Sequence, residues 1–213
     1  SRLTASKNIH RLIKKLPHKP SVYIQASAIG FYGTSETETF TENHEKAGTD
    51  FLAQVVSKWE ETGKCIEEEG IRTVYMRFGV ILDRNEGALP RIVLPYQLFA
   101  GGTIGNGKQW LSWIHIEDVC ELILFAIEQK NMSGKVNVTA PNPVQMKTLG
   151  KTVSRVLKRP HWLPVPAFAL KTMLGEMSML VLEGQRVLPD KALQHGFEFR
   201  YSHIQAALEQ LYS

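Results

Sequence analysis

The chain has 213 residues, of which 43% are hydrophobic and 22% are charged, with 16 Gly and 10 Pro. These proportions are ordinary for a soluble globular protein, and the length suffices for one large domain or one and a half. The formal net charge of +4 is modest and argues against a nucleic-acid partner. No apolar run approaches the length of about 18 residues that a membrane span needs, and residues 1–19 contain no apolar stretch typical of a signal peptide. We therefore expect no membrane partner.

The two cysteines, Cys65 and Cys120, lie far apart on segments with helical patterns. This spacing favours free, buried thiols in a reducing compartment over a disulfide, and it predicts a cytoplasmic protein. The cysteines form no metal-binding motif, so no metal site is predicted.

The first half of the chain alternates between helical and strand patterns. Apolar residues at helical spacing predict a first helix over residues 3–16, ending at Pro17. A right-handed parallel βαβ unit is predicted next. It consists of a strand over residues 22–25, a capped helix over residues 50–69 and a strand over residues 71–78. The polar loop at residues 34–48 is long enough to suggest a functional flap or a mobile connection.

The remaining elements are shorter and less regular. A helix near residues 91–99 is followed by a glycine-rich turn, a strand over residues 111–114, a helix over residues 116–128 and a strand over residues 136–138. The pattern changes after that strand, and helices are predicted near residues 147–158, 167–174, 177–182, 189–194 and 202–211. We therefore predict a doubly wound parallel α/β sheet in residues 1–145 and a small mixed lobe in residues 146–213.

The stretch VYIQASAIGFYG, at residues 22–33, joins a buried-strand pattern to small residues and a glycine turn. In open α/β sheets, ligands bind beyond the carboxyl ends of the strands. Ala26, Ser27, Ala28 and Gly30 would line such a crevice if this strand is central. The alternative is a glycine-rich loop that binds no ligand, because short glycine motifs are weak signals.

Several blocks in order resemble the second half of an extended short-chain dehydrogenase/reductase, of the NAD-dependent epimerase/dehydratase superfamily. They are ASAIGFYG, SKWEE, RFGVIL, GNGKQWLSWIHIEDV and VNVTAP. The segments SRLT, GALP, TAPNPV, LPVPAFAL, LGEMS and EGQRVLP further resemble the atypical branch called epimerase family protein, which carries a C-terminal domain of unknown function. The resemblance covers the whole chain.

This resemblance implies a Rossmann-type sheet that binds a nicotinamide dinucleotide, with the C-terminal lobe over the substrate. The family's glycine fingerprint for the pyrophosphate follows its first strand, and no such loop occurs in this sequence. We therefore expect the sequence to lack about the first third of a family member. An apolar strand at residues 22–25 with a bare edge would promote aggregation, so we expect the missing strands or another chain to cover that edge.

The resemblance also implies a set of cofactor contacts, with NADP(H) favoured over NAD(H). Small or apolar residues would border the nicotinamide, and Arg2 could meet a phosphate or could instead be a solvated arginine at a helix end. The expected cofactor-binding residues are Arg2, Ala26, Ser27, Ala28, Phe78, Gly79, Val80 and Ile81.

In this superfamily a tyrosine transfers the proton, a lysine lowers the pKa of that tyrosine, and a serine or threonine orients the substrate oxygen. In this sequence Ala28 stands at the hydroxyl position, with Ser27 beside it. Lys58 matches the lysine, which puts Gln54 where the tyrosine belongs. The candidate catalytic residues are therefore Ser27, Lys58 and Tyr32, the nearest phenol in sequence, although Tyr32 more closely resembles the family's motif residue that packs beside the loop.

The family's nucleotide-sugar enzymes commonly carry an arginine that contacts the diphosphate, at the position where Leu111 stands here. Arg186 could replace this cation, although a lone arginine is more often part of a surface ion pair. Trp113 is a second candidate for substrate contact. His115 is expected to be a structural hydrogen-bonding residue at a strand–helix junction.

Two functions are compatible with the residues that depart from the family's pattern, which are Ala28, Gln54 and Leu111. The first is an NAD(P)(H)-dependent oxidoreductase or epimerase-like enzyme acting on an unidentified small substrate. The second is a catalytically silent sensor of the nicotinamide pool, which the absent tyrosine and hydroxyl would allow. A scaffold that has lost the cofactor is a third reading. Superfamily members often pair through a four-helix interface, so a homodimer through the helix at residues 51–69 is also predicted.

Overall fold

A computed structural model describes residues 2–163 and 184–213 of the chain. The helices of this part carry amphipathic patterns, and several begin at recognisable caps. Asp50 caps the second helix by accepting the Ala53 N–H at 2.9 Å, and His115 caps the fourth through Nδ1, which accepts the Glu117 N–H at 3.1 Å. The helices are α1 (Arg2–Ile13), α2 (Phe51–Glu67), α3 (Leu89–Gln97), α4 (Ile116–Glu128), α5 (Met146–Leu157), α6 (Asp190–Gln194) and α7 (Ile204–Tyr212).

The strands divide into three longer ones and several of two or three residues. They are β1 (Val22–Ala28), β2 (Thr39–Phe40), β3 (Arg72–Phe78), β4 (Val80–Leu82), β5 (Trp110–Leu111), β6 (Trp113–His115), β7 (Gly134–Val138), β8 (Val144–Gln145) and β9 (Arg186–Val187). Strands β1, β3 and β7 form a parallel sheet in the order β1-β3-β7. The predicted parallel α/β fold is therefore confirmed.

Helix α2 packs on one face of this sheet at unusually short range. A Cβ added to Gly63 would lie 2.5 Å from Gln25 Oε1 and 2.5 Å from a ring carbon of Tyr75. Since no real Cβ tolerates such a distance, glycine is what lets the helix approach the sheet here. Strand residues that point to this face include the polar side chains of Gln25, Ser27 and Arg77, all buried.

Helix α4 covers the opposite face of the sheet. Its buried Leu122 and Ala126 pack against Val74, Met76 and other apolar side chains of β3 and β7. Arg72 ties the end of α4 to the sheet, because its guanidinium donates to three carbonyl oxygens around that end at 2.8 Å. The connection from β1 to β3 passes through α2, and the connection from β3 to β7 passes through α4. Both connections step in the same direction along the sheet, whereas α2 and α4 lie on opposite faces. The two crossovers therefore have opposite handedness.

A second core lies beyond the carboxyl ends of the strands. Helices α3, α5 and α7 pack there around Leu89, Trp113, Leu149 and Leu208. This core contains side chains from both sides of residue 145, where the sequence predicts a boundary. The division into residues 1–145 and 146–213 stays a prediction.

The predicted strand at residues 111–114 is interrupted at Ser112, so that β5 and β6 have different partners. Ser112 Oγ donates to the Gln185 carbonyl and accepts the Val187 N–H, both at 2.8 Å, and it thereby holds β9. The polar loop at residues 34–48 is attached to the rest of the protein by a short strand. Within it, β2 pairs in parallel with β9, and Phe40 is buried.

Cys65 and Cys120 are both free thiols, as predicted, but both are exposed and not buried. Each lies on the solvent side of an amphipathic helix, which the periodicity alone did not resolve. The helices predicted near residues 167–174 and 177–182 lie outside the described residues. No helix in the described part of the chain is long and apolar enough to cross a membrane.

Candidate functional site at the carboxyl ends of β1 and β3

The small residues of β1 lie in register with the end of β3. Ala26 pairs with Met76, and Ala28 pairs with Phe78. Ala26 is exposed although its neighbours Gln25 and Ser27 are buried, because alternate side chains of a strand point to opposite faces. A methyl group at this position leaves open space over the backbone of β1.

The segment after β3 contributes a partly exposed apolar edge. Phe78, Val80 and Ile81 are half-buried, in contrast to the buried residues that precede them in β3. Gly79 between them was expected to admit a ligand. A Cβ there would instead lie 2.5 Å from the Ser112 carbonyl oxygen, so the protein's own backbone fills that space.

Ser27 belongs to a buried ion-pair cluster beneath α2. Its hydroxyl donates to Glu60 Oε1 at 2.7 Å, and the same carboxylate accepts two bonds from Arg77, also at 2.7 Å. Ser27 is 3% exposed and Arg77 is fully buried. The hydroxyl therefore faces α2, whereas the adjacent Ala26 faces the other side of the sheet.

Tyr32 lies in the 3₁₀ turn that follows β1 and is 4% exposed. Its hydroxyl donates to Asn137 Oδ1 at 2.8 Å, and its ring stacks on Phe40 with 5.2 Å between centroids. Burial raises the pKa of Tyr32, although Arg77 opposes the shift. The phenol is therefore neutral and engaged in a structural bond.

Lys58 and Gln54 lie on the exposed side of α2. The Gln54 amide donates to the Thr49 carbonyl at 3.2 Å, near the start of the helix. Ser27 and Tyr32 are buried under the opposite side of the same helix. The structure thus does not bring Lys58 together with the other two candidate catalytic residues.

The two predicted substrate contacts differ in their accessibility. Trp113 is fully buried in the second core, and its indole N–H donates to the Asn142 carbonyl at 3.0 Å. It is a core residue with no surface to offer a substrate, which differs from the prediction. Arg186 is exposed on β9, with its guanidinium carbon 4.9 Å from the centroid of the Trp110 ring.

Two features of this region were not predicted from the sequence. Glu60 and Arg77 form the buried pair, and an arginine between the apolar Met76 and Phe78 was the signal that could have revealed it. Asn137 accepts the hydrogen bond from the Tyr32 hydroxyl, and no local sequence pattern distinguishes that asparagine. Arg2 begins α1, but its side chain lies outside what the structure describes.

Comparison with known proteins agrees with this architecture. The model of the NAD dependent epimerase/dehydratase family matches residues 1–139. The chain belongs to this family. A second family model, a domain of unknown function (DUF1731), matches residues 165–211.

Members of the epimerase/dehydratase family resemble this chain over its whole length. Epimerase family protein YfhF of Bacillus subtilis is 56% identical over 211 residues, which are 99% of this chain and 69% of that protein. The chloroplastic epimerase family protein SDR39U1 homolog of Arabidopsis thaliana is 43% identical, over 99% of this chain and 61% of its own length. The chain therefore spans only part of these relatives.

Solved structures of the family include two with substantial sequence identity. Human epimerase family protein SDR39U1 (isoform 2), crystallised with NADPH, is 30% identical with a TM-score of 0.90 and covers 100% of this chain and 72% of that one. A nucleoside-diphosphate sugar epimerase from Corynebacterium glutamicum is 32% identical with a TM-score of 0.81, and covers 100% of this chain and 42% of that one. The Rossmann-type NAD(P)-binding fold is thereby confirmed.

Proposed function

We propose that this chain is part of an NADP(H)-binding oxidoreductase that acts on an unidentified small substrate. The observation that carries this proposal is the similarity, along the entire chain, to the human family protein crystallised with NADPH. The same similarity supports NADP(H) over NAD(H). When bound, the nicotinamide supplies the carbon that accepts or donates a hydride.

The residues at the carboxyl ends of β1 and β3 fit a flat ring. Ala26 and Ala28 keep the backbone of β1 accessible, and Phe78 offers an apolar edge in register with Ala28. We assign these residues, with Val80 and Ile81, to the nicotinamide side of the site. Gly79 supports them indirectly by allowing β4 to pack against Ser112.

We propose that the exposed guanidinium of Arg186 binds an anionic group of the substrate. It lies on β9, whose partner β2 belongs to the loop that follows the 3₁₀ turn. Its position over the Trp110 ring orients the cation without neutralising it. Trp113 acts only as part of the core beneath this region.

The hydrogen bonds made by the candidate catalytic residues favour a second function. The Ser27 and Tyr32 hydroxyls donate to Glu60 and Asn137, and Lys58 is exposed away from both. A site whose two candidate hydroxyls are already engaged could bind the reduced cofactor without turning over a substrate. The alternative is therefore a silent NADP(H) sensor.

Both functions require NADPH binding, which tests the proposal. The full-length protein should bind NADPH saturably, as measured by the fluorescence of the reduced nicotinamide. Ala26→Leu should weaken this binding about tenfold or more, because the larger side chain fills the space over β1. Ala5→Leu, an equal change at an exposed position of α1, should leave binding unchanged.

Turnover then separates the two candidates. Substrate-dependent oxidation of NADPH across a library of carbonyl compounds would establish an oxidoreductase. Tight binding without turnover would favour the sensor. Absence of any saturable NADPH binding to the full-length protein would overturn both.

A further inference from the structure

Large apolar side chains are exposed where α3 ends and where the chain continues after α5. They are Leu94, Leu98, Phe99, Trp162 and Leu163, with exposed fractions between 43% and 68%. The indole N–H of Trp162 donates to the Phe99 carbonyl at 3.0 Å, which joins the two segments in one surface. We call this surface the apolar patch. A contiguous set of exposed apolar side chains marks a contact site more often than single scattered ones do.

Phe99 has a backbone conformation that phenylalanine disfavours. Its φ is 60°, in the left-handed region. The Phe99 N–H donates to the Tyr96 carbonyl at 3.0 Å, and the Ala100 N–H donates to the Pro95 carbonyl at 2.8 Å. Glycine usually occupies the left-handed position in this kind of helix ending. Since the Phe99 side chain is also 54% exposed, neither backbone preference nor burial explains a large apolar residue here.

The amide groups of the apolar patch are paired within the protein. The Leu98 N–H donates to the Leu94 carbonyl at 3.1 Å, and the Trp162 and Leu163 N–H groups both donate to the Gly101 carbonyl, at 3.0 and 3.2 Å. Protein partners are usually held by directional hydrogen bonds across the contact. Lipid, in contrast, requires that the backbone groups it covers be satisfied internally. The paired amides of the patch therefore favour lipid over a protein.

Positive charges lie beside the apolar patch. The guanidinium carbon of Arg159 is 4.3 Å from the centroid of the Phe99 ring. Burial lowers the pKa of His161, and the charges of Lys151 and Lys147 lower it further, so both lysines lie close to this segment. Helices α3 and α5 and the turns that follow them contain no aspartate or glutamate. The patch is thus apolar and bordered by charges of one sign.

We propose that the apolar patch docks the protein on the surface of an anionic lipid bilayer. The apolar side chains enter the boundary between headgroups and acyl chains, and the neighbouring cations face the negative headgroups. This peripheral contact differs from the expectation of no membrane partner, which rested on the lack of a membrane-spanning run. It does not depend on the proposed oxidoreductase or sensor function, because the patch shares no residue with the nicotinamide side.

The test is flotation of the full-length protein with vesicles of one quarter phosphatidylglycerol and three quarters phosphatidylcholine, compared with vesicles of phosphatidylcholine alone. The protein should bind the anionic vesicles more tightly, and high salt should weaken binding because it screens surface charges. Phe99→Gly should lower the partition about tenfold. It should not lower the melting temperature, since glycine suits the left-handed conformation. A merely structural Phe99 would give the opposite pattern.

A matched pair of variants tests the position of the contact. Leu98→Gln should lower the partition about tenfold, whereas Leu124→Gln, at a position of α4 that is 57% exposed, should leave it unchanged. Removing both cations with Lys147→Gln and Lys151→Gln should also lower it about tenfold. Lipids brominated on their acyl chains should quench the fluorescence of Trp162, and Trp162→Phe should bind normally without this quenching. If Phe99→Gly does not fold, the leucine pair decides.

The proposal is overturned if the full-length protein does not bind anionic vesicles, which would leave a protein partner or another segment of the protein to cover the apolar patch. It is also overturned if the two leucine variants bind equally, or if quenching persists in Trp162→Phe. NADPH affinity should be the same in every folded variant, so failure of this proposal and failure of the proposed function are distinguishable.

Discussion

Arg77 is fully buried near the end of β3 and has partners on two sides. Its guanidinium forms a two-pronged ion pair with Glu60, and its central carbon lies 3.5 Å from the centroid of the Phe31 ring. The cation therefore joins α2, the sheet and the turn after β1. Such a pair is costly to break from one side, because the remaining charge is left buried without a partner.

We expect Glu60→Gln to lower the free energy of unfolding by about 3–5 kcal/mol, since the variant leaves Arg77 uncompensated. Urea unfolding followed by circular dichroism measures the change. Glu61→Gln, at the next and exposed position of α2, should change it by about 0.5 kcal/mol or less. Equal stability of the two variants would contradict the assigned role of the pair.

At the scale of elements, Glu69 connects α1 to the segment between α2 and β3. Its carboxylate lies 2.8 Å from Lys19 Nζ, 3.3 Å from His10 Nε2 and 3.4 Å from Lys14 Nζ. Hydrogen bonds from Lys19 and then His10 lower the pKa of Glu69 from 4.5 to about 2. The end of α1 is thus held by a carboxylate that binds its proton more weakly in the folded state.

This shift gives a defined pH dependence. The unfolded chain takes up a proton at the ordinary pKa of 4.5, so the stabilisation by Glu69 is present above that pH and is lost as the pH falls toward about 2. The difference in unfolding free energy between the unmutated protein and Glu69→Gln should therefore shrink over this interval. Urea unfolding at a series of pH values measures it. Glu68→Gln, an exposed neighbour, should show no such trend, and a constant difference for Glu69→Gln would contradict the link.

The longer elements could be predicted because their apolar periodicity is local. The helix predicted over residues 116–128 is α4 itself, and the strand at residues 71–78 differs from β3 by one residue. The short strands β2, β8 and β9 could not be predicted, since two residues carry no period and each depends on a distant partner. The same limit applies to the site. Ser27 could be placed on β1, but Glu60 bonds to it from 33 residues away.

At the scale of the whole molecule, α2 begins with two apolar side chains that the described residues leave open. Phe51 is 76% exposed and Leu52 is 39% exposed. Apolar residues of this size at one end of a helix suit contact with a second protein surface. We propose that α2 forms a homodimer interface, as the family resemblance implies.

Phe51→Glu should convert the full-length protein from a dimer to a monomer, because a charge would be buried in the contact. Size-exclusion chromatography with light scattering measures the mass. Leu124→Glu, at a position of α4 that is 57% exposed on the opposite face of the sheet, should leave the mass unchanged. A monomeric unmutated protein would rule out the interface.

The pairing of β2 with β9 has a consequence for synthesis on the ribosome. The Ser35 N–H donates to the Gly184 carbonyl and the Leu188 N–H donates to the Phe40 carbonyl, so residues 35–40 are held by a segment translated much later. The nascent chain can complete its βαβ unit early, but this loop gains its partners only after residues 184–188 leave the exit tunnel. Maturation of the loop that leads to Glu42 is therefore a late event in biogenesis.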